Sequence, residues 1–185
     1  MHTLTRRTAL AAFGCAPFTT RVFAKPATSA KPCTEGWFVT GYYTAAETEF
    51  AGRSVEIQLE GQRYAFASEF LHKVKTDGWG QTRERWFLGW NNGWRRGTAP
   101  LSIRGRPLAI GSAAVDQRLV PLGTALQIPD LPPPWNSRIF TADDSGGGIR
   151  GKRIDIYCGC GPEKRAETLR LTGHNHRVCF ATVAA

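Results

Sequence analysis

Period-two alternation runs through most of this chain. Ser54-Val55-Glu56-Ile57-Gln58-Leu59 alternates polar and apolar side chains, Gly61 breaks the run, and Arg63-Tyr64-Ala65-Phe66 resumes it, which predicts a hairpin. Trp37 to Tyr43 is a short aromatic and β-branched run and predicts a strand. Further strands are expected at Trp86–Trp90, Pro107–Ala109, Ser112–Asp116, Thr124–Ile128, 137–142, 153–157 and Arg177–Val183. Two stretches carry helical signals. In the first, Ser68 stands as an N-cap, Glu69 follows, Phe70, Leu71 and Val74 form an apolar stripe, and Gly78 ends the segment. In the second, residues 162–170, Pro162 opens the first turn and Gly173 lies past the end. Short strands at regular spacing with two short helices predict a mainly β chain, a small barrel or sandwich.

Against that background the stretch from Thr141 to Tyr157 stands out. It holds three carboxylates, Asp143, Asp144 and Asp155, and four glycines, Gly146, Gly147, Gly148 and Gly151. An apolar run leads into the acid pair, a glycine-rich turn follows, and an alternating run leaves it. Glycine admits positive φ and lets a ligand approach the backbone closely. Acids at the mouth of such a turn suit catalysis. They suit equally a polar hairpin loop whose aspartates cap the turn, and the local pattern alone leaves the two level.

Length adds that 185 residues make one domain, or one domain with a small insertion. The first 24 residues read as an export signal: Arg6-Arg7, the apolar run Thr8–Gly14, then Val22-Phe23-Ala24 with small residues at the two positions an export peptidase reads. The apolar run is too short to span a bilayer, so no stable membrane insertion is expected. Thr5-Arg6-Arg7 hints at twin-arginine export, although Ala9 is a poor match to that pattern, and the Sec and Tat routes both stay open. A lipoprotein cleavage point at Gly14-Cys15 is the weaker reading. Residues 25–36, rich in Pro, Ala, Ser, Thr and Lys, read as a flexible lead-in. The leader holds three of the 24 basic residues and none of the 15 acids, so the chain without it keeps a net charge of +6. The basic residues are scattered and no recognition motif accompanies them, which argues against nucleic acid. A positive surface suits an anionic polymer such as a cell wall, and also suits simple solubility.

Beyond the leader four cysteines remain, Cys33, Cys158, Cys160 and Cys179, an even number that fits two disulfides in an exported chain. Three pairings are open. The expectation is that Cys33 and Cys179 each pair into the Cys158/Cys160 segment. A metal site from Cys158, Cys160, His174 and His176 is the rival, but the spacing is not that of a common zinc module, so no metal and no cofactor are expected. Four of the six tryptophans fall between Trp79 and Arg96. Indoles there serve either to stack on sugar faces or to fill a small core.

Taken in order, Ala114-Val115-Asp116, Pro121-Leu122-Gly123, Asp144-Ser145-Gly146-Gly147-Gly148-Ile149-Arg150-Gly151 and Arg153-Ile154-Asp155 resemble the signature of the three-aspartate, or 3D, domain. That domain is similar to the barrel of the membrane-bound lytic murein transglycosylase A family, and Thr40-Gly41-Tyr42-Tyr43-Thr44 resembles the family's opening strand. The likeness covers about residues 37–183. It implies a small double-psi β-barrel over residues 37–185, carrying two short helices and a β-rich insertion at about 45–111. It also implies cleavage of peptidoglycan glycan strands in the periplasm. By position, Asp144 stands where the family has its catalytic acid, and Asp116 and Asp155 stand at the other two aspartates. Asp143 is extra to the motif. The Asp-Ser-Gly-Gly-Gly here departs mildly from the family's Asp-Thr-Gly-Gly-Ala. The insertion is much shorter than the family's large second domain, which forms one wall of the glycan groove.

The implied reaction breaks the bond between N-acetylmuramic acid and N-acetylglucosamine without water. The sugar's C6 hydroxyl attacks and a 1,6-anhydro ring forms. One carboxyl group serves first as acid and then as base, where ordinary glycosidases need two. Asp144 is the expected acid. Asp116 and Asp155 either supply like charge beside it or fix the loop by hydrogen bonds. Tyr42, Tyr43, Trp90, Gly146 and Gly147 are the expected sugar contacts. Two competing readings remain: a non-catalytic, expansin-like wall-binding barrel, and a hydrolase pairing Asp144 with Asp116 or Asp155.

Overall fold

The computed structural model describes residues 32–180. The expected leader, the lipoprotein reading at Cys15 and the first part of the lead-in fall outside the described residues. The lead-in ends earlier than its composition implies, because strand β1 already begins at Cys33 and runs to Ala46.

Six strands close into a barrel: β1, β7 (Ser112–Val115), β8 (Ala125–Gln127), β9 (Phe140–Asp144), β10 (Arg153–Cys160) and β11 (Gly173–Phe180). Their order is β10-β7-β9-β8-β11-β1, and parallel pairing of β1 with β10 seals the ring. Closure removes the free edges that short strands would otherwise expose. Inward residues alternate along each strand, as the period-two pattern requires. Val39, Ala113, Val115, Leu126, Phe140, Ile154, Ile156 and Val178 are all within 1% of complete burial.

The second helix, α2 (Arg165–Leu171), follows a 3-10 turn at Pro162–Lys164 and contributes Leu171 to that core. It packs on β1 at Gly41, where an added Cβ would lie 2.7 Å from the Thr168 Cα. Only glycine permits so close an approach.

Between β1 and β7 the chain builds a second, smaller body. It holds the predicted hairpin, β2 (Ser54–Leu59) and β3 (Gln62–Ala67), then α1 (Ser68–Asp77) and three strands, β4 (Trp79–Gln81), β5 (Phe87–Trp90) and β6 (Trp94–Gly97). Its core is aromatic and aliphatic, with Phe66, Phe70, Leu71, Val74, Trp86 and Leu88 buried. Gly80 on β4 lets α1 lie flat: a Cβ there would meet Phe70 at 2.5 Å and Val74 at 2.7 Å. The far end of β1 also pairs with β4, Ala45 to Gly80 and Ala46 to Gln81. One strand therefore serves both bodies. No helix among the described residues is long and apolar enough to cross a membrane.

Several expectations are corrected. Cys33 and Cys179 pair with each other, and Cys158 and Cys160 are free. The reason lies in register. Cys33 is opposite Cys179 on the antiparallel β1–β11 pair, whereas β1 meets Cys160 only at Thr44, roughly 30 Å further along an extended strand. Cys158 faces the barrel core, where burial pushes its thiol up to about 12. Of the rival metal set, His174 stacks on Phe38 and His176 sits beside Asp130, away from both thiols.

Pro107–Ala109 forms a single bridge, Leu101 to Pro107, and not a strand. Residues 135–137 make a 3-10 turn after the prolines, so β9 starts three residues later than expected and runs on through both aspartates. The glycine stretch is not a hairpin loop: β9 and β10 do not pair, because β7 lies between them.

Candidate functional site

Three strands set the site. In parallel β7–β9, Ala113 faces Ala142 and Ala114 faces Asp144, so Asp143 is an extra residue in β9. A bulge of this kind re-aims the side chains around it. Asp143 turns inward, 8% exposed, and accepts a hydrogen bond from Ser112 Oγ at 3.1 Å. Burial raises its carboxyl above the ordinary 3.8. Asp144 is freed to point the other way. Across the sheet Ala114 also faces Asp155 on β10, and Asp155 faces Thr40 on β1. Asp144, Ala114, Asp155 and Thr40 thus form a row over four strands. The two acids lie two strand spacings apart, roughly 10 Å between α-carbons, with a methyl group as the floor between them.

Each acid has distinct partners. Tyr42 donates its hydroxyl to Asp144 Oδ2 at 3.0 Å, and the Ile103 N–H donates to Oδ1 at 2.9 Å. Asp155 accepts from Thr40 Oγ1 at 2.8 Å. Burial raises the Asp155 carboxyl, the Thr40 hydrogen bond and Arg153 oppose the rise, and the negative charges of Asp77 and Asp144 add to it. Burial, reinforced by Asp144, also raises the Tyr42 phenol well above its ordinary value, so Tyr42 keeps its hydrogen at neutral pH. The Tyr42 ring leans on Tyr157, centroids 5.2 Å apart, and the Tyr157 hydroxyl is bonded to Thr44 in turn.

Asp116 lies apart from this row. It is 4% exposed and clasped by Arg118, whose Nε and Nη2 reach Oδ1 and Oδ2 at 2.9 and 2.6 Å. Its Oδ2 also accepts the Gly151 N–H at 2.8 Å. The Arg118 hydrogen bonds hold its carboxyl far below the usual carboxylate range, with the Gly151 N–H adding to the effect. Asp116 therefore ties the far end of the glycine stretch to the start of the loop after β7.

The row opens into a groove between the barrel and the smaller body, formed by three adjoining cavities. A central one of about 240 Å³ holds Asp144, Asp155, Tyr42, Ala114 and the Gly146–Gly148 backbone. On one side a cavity of about 860 Å³ shares Tyr42 and Asp155 with it and extends past Tyr43 and Phe50 to Arg165. On the other a cavity of about 330 Å³ shares Asp144 and Ser145 and is walled by Trp79, Trp90, Asn91 and Ser102. Of the expected sugar contacts, Tyr42, Tyr43, Trp90, Gly146 and Gly147 all line this groove. Tyr43 is held by Glu49, to which it donates at 2.8 Å, and burial lifts its phenol to about 12. Trp90 is half-buried and packed by Trp94 and Lys75.

Two groove residues had no signal in the sequence. Ile103 binds Asp144 through its backbone, which no residue type announces. Asp77 lines all three cavities from the end of α1, outside any motif.

Known structures share this fold. The barrel and its added body share the fold of Escherichia coli MltA with bound chitohexaose: TM-score 0.61, 15% identity, over 80% of this chain and 72% of that one. A second crystal structure of MltA from Escherichia coli, described as a unique lytic transglycosylase fold, gives 0.57 at 15% identity over the same shares. A membrane-bound lytic murein transglycosylase from Agrobacterium tumefaciens gives 0.55 at 14% identity, over 82% of this chain and 76% of that one. No curated protein sequence matches the chain. Residues 111–178 match the 3D domain, and the fold in which they sit is MltA-like.

Proposed function

We propose that this chain is an exported lytic transglycosylase that cleaves peptidoglycan glycan strands at the bond between N-acetylmuramic acid and N-acetylglucosamine, leaving a 1,6-anhydro end. The observation that carries the reading is the position of Asp144. It stands where the central and aromatic cavities of a groove meet, each carboxylate oxygen held by one donor. The fold shared with lytic transglycosylases supports the same class. The Cys33–Cys179 disulfide fits an oxidising, periplasmic setting.

The two donors divide the labour of the acid. A backbone N–H only donates, so Oδ1 facing Ile103 stays an acceptor. A phenol both donates and accepts, so Tyr42 can sit beside Oδ2 in either protonation state. The working proton therefore rides on Oδ2. In the proposed reaction it passes to the glycosidic oxygen as the bond to C1 breaks. The C6 hydroxyl then closes on C1 and returns its proton to Oδ2. No water is consumed and the acid is regenerated. General acid–base help of this kind contributes about 10²- to 10⁴-fold in rate. Asp155 adds negative charge at the far side of the floor, and Asp116 holds the turn.

The test is product analysis by mass spectrometry after incubation with purified peptidoglycan. Anhydro-muropeptides, lighter than hydrolysis products by one water, support the reading. Hydrated ends would select the hydrolase, and pelleting with the wall without soluble fragments would select the binder.

A further inference from the structure

Helix energetics give no reason for an acid at Asp77. It is the last residue of α1, beside the left-handed Gly78 cap at φ 89°. A negative charge there faces the negative end of the helix macrodipole. Lys73 pairs with it at 2.8 Å from one turn back, the less favourable order for such a pair along a helix. The carboxylate is nevertheless drawn in, 18% exposed, and lines every cavity of the groove.

Its surroundings suit a sugar. The aromatic cavity that Asp77 shares with Asp144 has the half-buried indole of Trp90 for an apolar ring face, the buried Trp79 in its wall and the Asn91 amide beside them. The Trp79 N–H is already spent on the Leu101 carbonyl at 2.9 Å, and Arg95 covers its ring. Trp79 therefore offers this cavity neither a donor nor an open ring face. The Asp77 carboxylate offers about four acceptor positions, and among the described residues Lys73 is the one cation paired with it.

We propose that Asp77 is a specificity-determining residue of the groove, accepting hydrogen bonds from the hydroxyl or acetamido N–H donors of a glycan unit lodged between Trp90 and Asp144. The inference rests on the glycan reading above and assigns to the short added body a share of the recognition.

Calorimetric titration of the full chain with chitohexaose and with cellohexaose tests it. Asp77→Ala should weaken chitohexaose binding at least tenfold, Asp77→Asn, which keeps an acceptor oxygen, should weaken it less, and the melting temperature should hold or rise. Loss confined to chitohexaose assigns the bond to the acetamido N–H. Equal loss with cellohexaose assigns it to hydroxyl groups. An Asp77→Ala affinity within twofold of the parent overturns the proposal, as does a loss that comes with a lowered melting temperature. Failure of the unaltered chain to bind chitohexaose would instead overturn the glycan reading itself.

Discussion

Tyr42 and Asp144 lie 102 residues apart in sequence and meet at 3.0 Å, phenol to carboxylate, on the outer face of the barrel. The bond joins the opening strand to the bulged strand that carries the proposed acid. Removing the hydroxyl with Tyr42→Phe should leave the ring packed on Tyr157. A hydrogen bond to a charged group is worth about 1.5–3 kcal/mol, so turnover should fall by about 10- to 100-fold with little change in KM. A matching rise in KM would assign Tyr42 to substrate binding instead.

Asp144→Asn keeps an acceptor for the Ile103 N–H but has no proton to give the glycosidic oxygen. Anhydro-muropeptide release should cease while the melting temperature stays where it was. Residual release at a few per cent or more would move the acid elsewhere in the row.

The sign of the pH effect at Asp155 follows from its surroundings. Burial lifts its carboxyl above the ordinary 3.8, so the folded state binds this proton more tightly than the unfolded state. That contribution to stability is complete below 3.8 and is lost as the pH rises through the folded value. Asp155→Asn cannot ionise and still accepts from Thr40. Denaturation midpoints should therefore coincide for variant and parent near pH 3 and separate above it, with the variant the more stable.

The Cys33–Cys179 bridge closes a loop with a sequence separation of 146. On the chain-entropy account a loop of this size stabilises by up to about 5 kcal/mol. Cys33→Ser with Cys179→Ser should lower the unfolding free energy by about 2–5 kcal/mol, read from urea midpoints, and reducing agent should then have no further effect.

Gly41→Ala tests the seat of α2. The new methyl would meet the Thr168 Cα at 2.7 Å, and backbone cannot yield as a side-chain tip does. Overpacking of this kind costs about 1–3 kcal/mol. The loss should appear in urea unfolding and in faster hydrogen exchange across residues 165–171.

The barrel strands were legible wherever alternation met β-branched residues, as in Ile154-Asp155-Ile156, and so was the hairpin, because Gly61 turns it. Other features depend on partners that local sequence does not contain. Trp94-Arg95-Arg96-Gly97 reads as loop, yet β5 recruits it as β6 and its arginines lie over Trp79 and Trp86. Asp143 and Asp144 read as the mouth of a turn, but a one-residue bulge opposite Ala113 and Ala114 keeps them in a strand and sends them to opposite sides. The cysteine pairing was obscure for the same reason: it depends on how β1 registers against β10 and β11. Asp77 carries no motif, and its place in the groove follows only from how α1 lies on β4.

The sharing of β1 bears on how the groove can move. One wall hangs from the barrel and the other from β4, and both are hydrogen-bonded to the same continuous strand. Swinging the walls together would mean bending β1 or breaking the Ala45–Gly80 and Ala46–Gln81 pairs. The shared strand thus opposes hinging of the two walls. A cleft braced in this way would leave little ordering of the protein to oppose the binding of a polymer, so its width would set which chains enter and its polar side chains, Asp77 among them, would choose between those that do.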